Sequence, residues 1–210
     1  MYFVEEVDIL SVADFSEDPT AYQDMSDELG VHFTGDSDVS APAAAVFIAP
    51  SVGDDFSVGA TIRSDTDAGG FLFAVVDSTE SVIQLGVRVT SVGRTTSNVT
   101  LYLAAAAAAD GDEDGEGTYA SAVMAAFVLP SDELVGRWVE LALTDDGDRI
   151  SLYVDCRRRE TVTVYQRRGP VTFVDGSIVY VAQAGGKFGQ KFEVGRIVEK
   201  TYRVENGRIR

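Results

Sequence analysis

The sequence of 210 residues has one cysteine, Cys156, and one histidine, His32. One cysteine excludes an internal disulfide and any thiolate cluster for zinc or iron–sulfur. One histidine excludes metal sites that need two, and any relay built on a pair. The phosphate-cradling P-loop, the G-x-S-x-G nucleophile elbow and a G-x-G-x-x-G between strand and helix are all missing. The glycine-rich stretch 185–190 (GGKFGQ) lacks their spacing and reads as a turn. Long apolar runs are missing too. The uncharged stretch 39–53 is interrupted by Pro42 and Pro50, and a spanning helix needs ~20 mostly apolar residues. Met1 is followed by Glu5, Glu6 and Asp8, which is no secretory leader, so a secreted reading puts the leader outside this sequence.

Bases are scarce, and they are unevenly placed. The formal charge is −17, and only three of the 17 bases are lysines. Residues 1–148 hold 28 acids against four bases, whereas residues 149–210 hold 13 bases against six acids. So acidic a body repels nucleic acid and anionic membranes at long range, while the last third can still present a local cationic face.

What is there is mostly strand. Residues 56–64 (FSVGATIRS) alternate apolar and polar side chains, the pattern of a half-buried antiparallel strand. Residues 71–76 (FLFAVV) are continuously apolar after Gly69-Gly70 and suit a strand buried on both faces. Further strands are expected at 82–91, 98–103 and 119–129, the last closing at Pro130. Residues 137–143 and 149–155 flank Asp145-Asp146-Gly147-Asp148, an Asp-Gly hairpin signal. Short strands at 161–166, 171–174 and 178–182 and one within 192–204 complete the set, and His32 in VHFT reads as a strand residue. A short helix is expected only around 5–15. Many short strands without helices predict an all-β sandwich of two antiparallel sheets, filling residues 1–210 as one domain. Phe73, Leu85, Trp138, Leu141 and Val154 are expected in its core.

Residues 104–118 join two strands through an alanine run and the acidic stretch DGDEDGEG, expected to be a flexible, solvated loop. Asp110, Asp112 and Asp114 invite a calcium reading. Gly115 falls at position six of a calcium loop, but Ser121 stands where its glutamate belongs. No metal site is therefore assigned, and nothing calls for a cofactor. Glycoside hydrolysis would need two facing carboxylates, and only Glu140 and Asp155 lie on strands, each isolated in sequence. No catalytic residue is assigned.

The ordered segments GGFLFAVVDS, VIQLGVRVTSV, NVTLYL, FVLPSDELVGRWVELALTDDGDRISLYVDC, and YVAQAGG with KFEVGRIVE resemble the laminin-G-like, thrombospondin-N-like domains. The likeness is to the N-terminal non-collagenous domain of the multiplexin collagens and covers about residues 7–200. It implies a concanavalin A-like jelly roll and a non-catalytic module of the extracellular matrix, secreted, that binds matrix proteins or sulfated glycans. It also implies self-association only through a collagenous region outside this chain. In the family a cysteine at the position of Cys156 pairs with one just after the last strand, so the resemblance implies a partner beyond Arg210. Residues alone leave Cys156 open between a buried apolar filler and such a half-cystine.

Arg157, Arg158 and Arg159, with Arg167 and Arg168, form the densest group of bases. Guanidinium forks grip sulfate bidentately, which makes these five the candidate glycosaminoglycan site; the alternative is that they neutralise Asp145, Asp146 and Asp148 nearby. Asn98-Val99-Thr100 is an N-glycosylation sequon at the start of a strand. A lectin-like carbohydrate-binding module and a jelly-roll glycosidase stay open beside the matrix reading.

Overall fold

A computed structural model of the chain describes residues 22–24, 31–33, 39–46, 51–52, 55–64, 69–92, 95–106, 119–164, 171–185, 188, 195–199, 204–205 and 208–209. The expected helix at 5–15 and the carboxylates of the acidic stretch 110–117 lie outside them. Seven strands form one antiparallel sheet: β1 (Tyr22–Asp24), β2 (Val31–Phe33), β15 (Gly195–Glu199), β5 (Phe56–Ser64), β10 (Val139–Asp145), β11 (Arg149–Val154) and β12 (Arg157–Thr163), in that spatial order. Six form a second: β3 (Ser40–Pro42), β14 (Ile178–Val181), β6 (Gly69–Val76), β7 (Ile83–Val92), β8 (Thr96–Ala106) and β9 (Tyr119–Pro130). Two-stranded pairs join β4 (Ser51–Val52) to β13 (Val171–Thr172) and β16 (Val204–Glu205) to β17 (Arg208–Ile209). The helix α1 is one turn, Ala43–Val46, and a 3-10 turn covers Ser131–Glu133.

The all-β sandwich is therefore as the alternation indicates. One core takes side chains from both large sheets, including Ile62, Leu141, Ile150 and Leu152 from one and Phe73, Val75, Leu101 and Phe127 from the other. A second, smaller cluster of Phe71, Ala74, Val76, Ile83 and Ala184 lies apart from it. That is why β6 is buried at every position, as its continuous apolar run requires. Gly69 makes the entry to β6 possible. Its φ is +70°, and an added Cβ would stand 2.3 Å from the Val89 carbonyl oxygen, which no side chain tolerates.

The hairpins carry their own reasons. Gly147, with φ +82°, turns the chain between β10 and β11; Asp145 accepts the Gly147 amide, and Asp146 accepts those of Asp148 and Arg149. The β6–β7 turn is organised by Asp77, whose carboxylate accepts hydrogen bonds from the Thr79, Ser81 and Val82 amides and from the Thr79 and Ser81 hydroxyls. Burial alone raises the Asp77 pKa. The Thr79 hydroxyl, the Val82 and Ser81 amides and the Ser81 hydroxyl outweigh it and hold the group at about 2.

Two expectations are corrected here. Strand β8 runs on to Ala106, with Ala104, Ala105 and Ala106 paired to Ser121, Ala120 and Tyr119, so the first three residues of the loop expected at 104–118 are strand, and 107–118 lie outside the described residues. An alanine run has no polar side chain to compete with the ladder, and pairing continues. Trp138 is the second. Phe73, Leu85, Leu141 and Val154 are buried as expected, but Trp138 is 37% exposed. Val139, Leu141 and Leu143 take the inward face of β10, and period two puts position 138 on the other side.

Candidate functional site

Asp155 and Cys156 form the two-residue turn between β11 and β12, with φ of +49° and +60° and Val154 paired to Arg157. Positive φ at both central positions is the hairpin turn whose twist matches the strands it joins. The turn leaves Cys156 exposed, so it is not the buried filler that free cysteine commonly becomes. Its Sγ donates to Glu140 Oε2 at 3.1 Å. That hydrogen bond, then burial, then the charges of Glu140 and Asp155 raise the thiol's pKa, which makes it a weaker nucleophile than an ordinary cysteine at neutral pH.

Glu140 and Asp155, isolated in sequence, are neighbours in space. The Glu140 amide donates to Asp155 Oδ1 at 3.1 Å, and the Asp155 amide donates to the Glu140 carbonyl at 2.8 Å. Antiparallel pairing of β10 with β11 brings them together, across a register that spacing does not specify. The Asp155 carboxylate also pairs with Arg137, whose Nε donates to the Glu133 carbonyl.

Next to this turn runs β12, the outermost strand of the seven-stranded sheet. Arg157, Arg158 and Arg159 are all exposed on it. Leu152 pairs with Glu160 and Tyr153 with Arg158, so Arg159 is the extra residue of a bulge. It forms an ion pair with Glu133. Together Asp132, Glu133, Arg137, Val154, Asp155, Arg157 and Arg159 line an open groove of about 460 Å³. Among the described residues, Arg157 and Arg158 have no carboxylate partner.

The structure thus gathers three of the five arginines on one edge and adds Arg137, which sequence clustering missed because it lies 20 residues upstream of Arg157. Arg167 and Arg168 lie outside the described residues. Among the described residues, the ion pairs of this region go to Glu133 and Asp155 rather than to the turn at 145–148. Asn98 lies within β8, flanked by Thr90 of β7 and Val128 of β9, and its carboxamide oxygen is buried without a hydrogen-bond partner. His32 is a strand residue, paired in register with Gln23 and Arg196. No group of three metal-ligating side chains occurs among the described residues, and no helix there is long and apolar enough to cross a membrane.

No family model matches the chain. It is similar to the human collagen alpha-1(XVIII) chain, with 30% identity over 190 residues, covering 90% of this chain and 10% of that one. The chain thus spans about a tenth of the length of that curated relative. Among solved structures it is similar to the enzymatically active domain of bacteriophage CBA120 tailspike protein 2, with a TM-score of 0.51 and 13% identity over 84% of this chain and 26% of that one. Such a likeness concerns the fold alone. Domains LG4-5 of the mouse laminin alpha1 chain give a TM-score of 0.45 and 13% identity, over 84% of this chain and 40% of that one. With 30% identity over nine-tenths of its length and two antiparallel sheets around one core, the chain is an all-β sandwich similar in sequence to a segment of the human collagen alpha-1(XVIII) chain.

Proposed function

We propose that this chain is a non-catalytic recognition module of the extracellular matrix, the N-terminal part of a collagen-like protein, and that it takes sulfated glycans at the β12 edge. One observation carries the reading beyond kinship. In a chain of net charge −17, Arg157, Arg158 and Arg159 stand exposed side by side on one edge strand, beside a groove that also holds Arg137. Arg157 and Arg158, lacking carboxylate partners among the described residues, are the forks free to meet sulfate. Glu133 and Asp155 hold Arg159 and Arg137 in place and set the number of charges a polyanion can use. Of the two strand carboxylates weighed for glycoside hydrolysis, Asp155 is engaged by Arg137 and Glu140 accepts from the Cys156 thiol, and the two are joined backbone to side chain rather than facing each other across a cleft, which speaks against a glycosidase pair there.

The test is heparin-column elution of the wild type against a variant with Arg157, Arg158, Arg159, Arg167 and Arg168 all changed to serine. Retention of the wild type and its loss in the variant is the expected result. Equal elution leaves the arginines with a neutralising role only. Cys156, exposed in its turn, is read as a half-cystine of the longer secreted protein; intact mass spectrometry of that protein under non-reducing conditions would show the bridge or a free thiol.

A further inference from the structure

Among the described residues the two large sheets have four edge strands, and three of them are defended. Strands β1 and β3 are three residues long, the first ending in Asp24 and the second in Pro42. Strand β12 carries Arg157, Arg158, Arg159 and Glu160 and a bulge. Short length, proline, charge and bulges are the devices that keep an open row of N–H and C=O groups from pairing with another chain.

Strand β9 is different. It is 12 residues long, ends the six-stranded sheet among the described residues, and contains no charged residue and no proline before Pro130. Its one device is a bulge at Met124, between the pairs Leu101–Ala125 and Tyr102–Val123. Beyond that bulge Ala125–Leu129 runs in unbroken register with β8. Val123 and Val128 are 57% and 60% exposed beside it.

We infer that the β9 edge is a self-association surface, pairing antiparallel with β9 of a second copy so that two six-stranded sheets join side by side. The occupant follows from charge and symmetry. An antiparallel edge is its own complement across a two-fold axis, because residue i meets j and j meets i. Two chains of net −17 repel each other at long range, and among the described residues the six-stranded sheet is almost free of charge, with Arg88 as the single ionised side chain on its strands. Pairing there hydrogen-bonds the free edge and brings Val128 of each copy next to the seam. The family resemblance puts self-association outside this chain; β9 gives the chain a contact of its own.

Sedimentation velocity over rising protein concentration at two ionic strengths tests this. The wild type is expected to form a species of twice the 22.5 kDa chain mass, more populated at high salt, because screening weakens repulsion between the acidic bodies. Val128→Lys places like charges near the seam and is expected to weaken the dimer at least tenfold. Ala126→Lys serves if Val128→Lys fails to fold, and Thr161→Lys on β12 should leave the dimer intact. Hydrogen exchange at 125–129 should slow with concentration in the wild type. A wild type that stays monomeric throughout, a dimer that survives both β9 lysines, or a dimer that weakens as salt rises overturns the inference.

Discussion

The two sheets of this sandwich share a core and little else. On the strands of the six-stranded sheet Arg88 is the only charged residue, and it lies over the Phe71 ring at 5.7 Å with Nη1 donating to the Tyr102 hydroxyl at 3.4 Å. The seven-stranded sheet carries charge on six of its seven strands, from Asp24 on β1 to Arg157–Glu160 on β12. The six-stranded sheet places its nearby acids in turns, as at Asp77 and Glu80, where they organise the chain without entering the ladder. One sheet is thus built for packing and pairing, the other for presenting charge to solvent. A net charge of −17 describes neither sheet.

Core deletions give the largest effects on this contrast. Phe127→Ala, at a side chain with 0% exposure on the uncharged sheet, is expected to cost about 3–5 kcal/mol in urea unfolding. Leu152→Ala, equally buried on the charged sheet, is expected to cost about 2–5 kcal/mol, because burial and not surface charge sets the penalty. A Leu152 variant that unfolds as easily as a surface one would break the single-core description.

An intermediate effect belongs to the Asp77 turn. Asp77→Ala removes the acceptor of five hydrogen bonds in a largely exposed turn and is expected to cost about 1–2 kcal/mol. The sign of its pH dependence is fixed. A carboxylate held at about 2 when folded and near 3.8 when unfolded stabilises above pH 3.8, and that stabilisation is lost as pH falls from 3.8 towards 2. Acid unfolding curves of wild type and variant should converge across that window; parallel curves would remove Asp77 from the acid response.

The smallest expected stability effect lies on the charged sheet. Breaking the part-exposed pair by Glu133→Gln should change stability by less than about 1 kcal/mol. Its readout is binding instead. Freeing Arg159 is expected to strengthen heparin retention, and unchanged retention would mean that Arg159 takes no part.

How much of this the sequence shows depends on what periodicity encodes. Alternation located β5, the continuous run marked β6 as buried on both faces, and Asp-Asp-Gly-Asp marked the β10–β11 turn, because these are local patterns with local causes. Trp138 was misplaced by one position, enough to move a side chain from core to surface. Arg137, Glu133 and the Glu140–Asp155 contact were invisible, since strand pairing joins residues that sequence distance separates. The arginines of 157–159 were legible as a cluster, while their exposure and the bulge at Arg159 were not.

The most direct measurement is a titration of a heparin-derived oligosaccharide into the isotopically labelled chain, followed by amide chemical shifts. Shifts should gather on Arg157–Thr163, at Arg137 and in the Asp155-Cys156 turn, and grow weaker with salt as phosphate-like contacts do. The strands around Arg88 should stay still. Shifts centred on the six-stranded sheet, or none at low salt, would contradict recognition at the β12 edge.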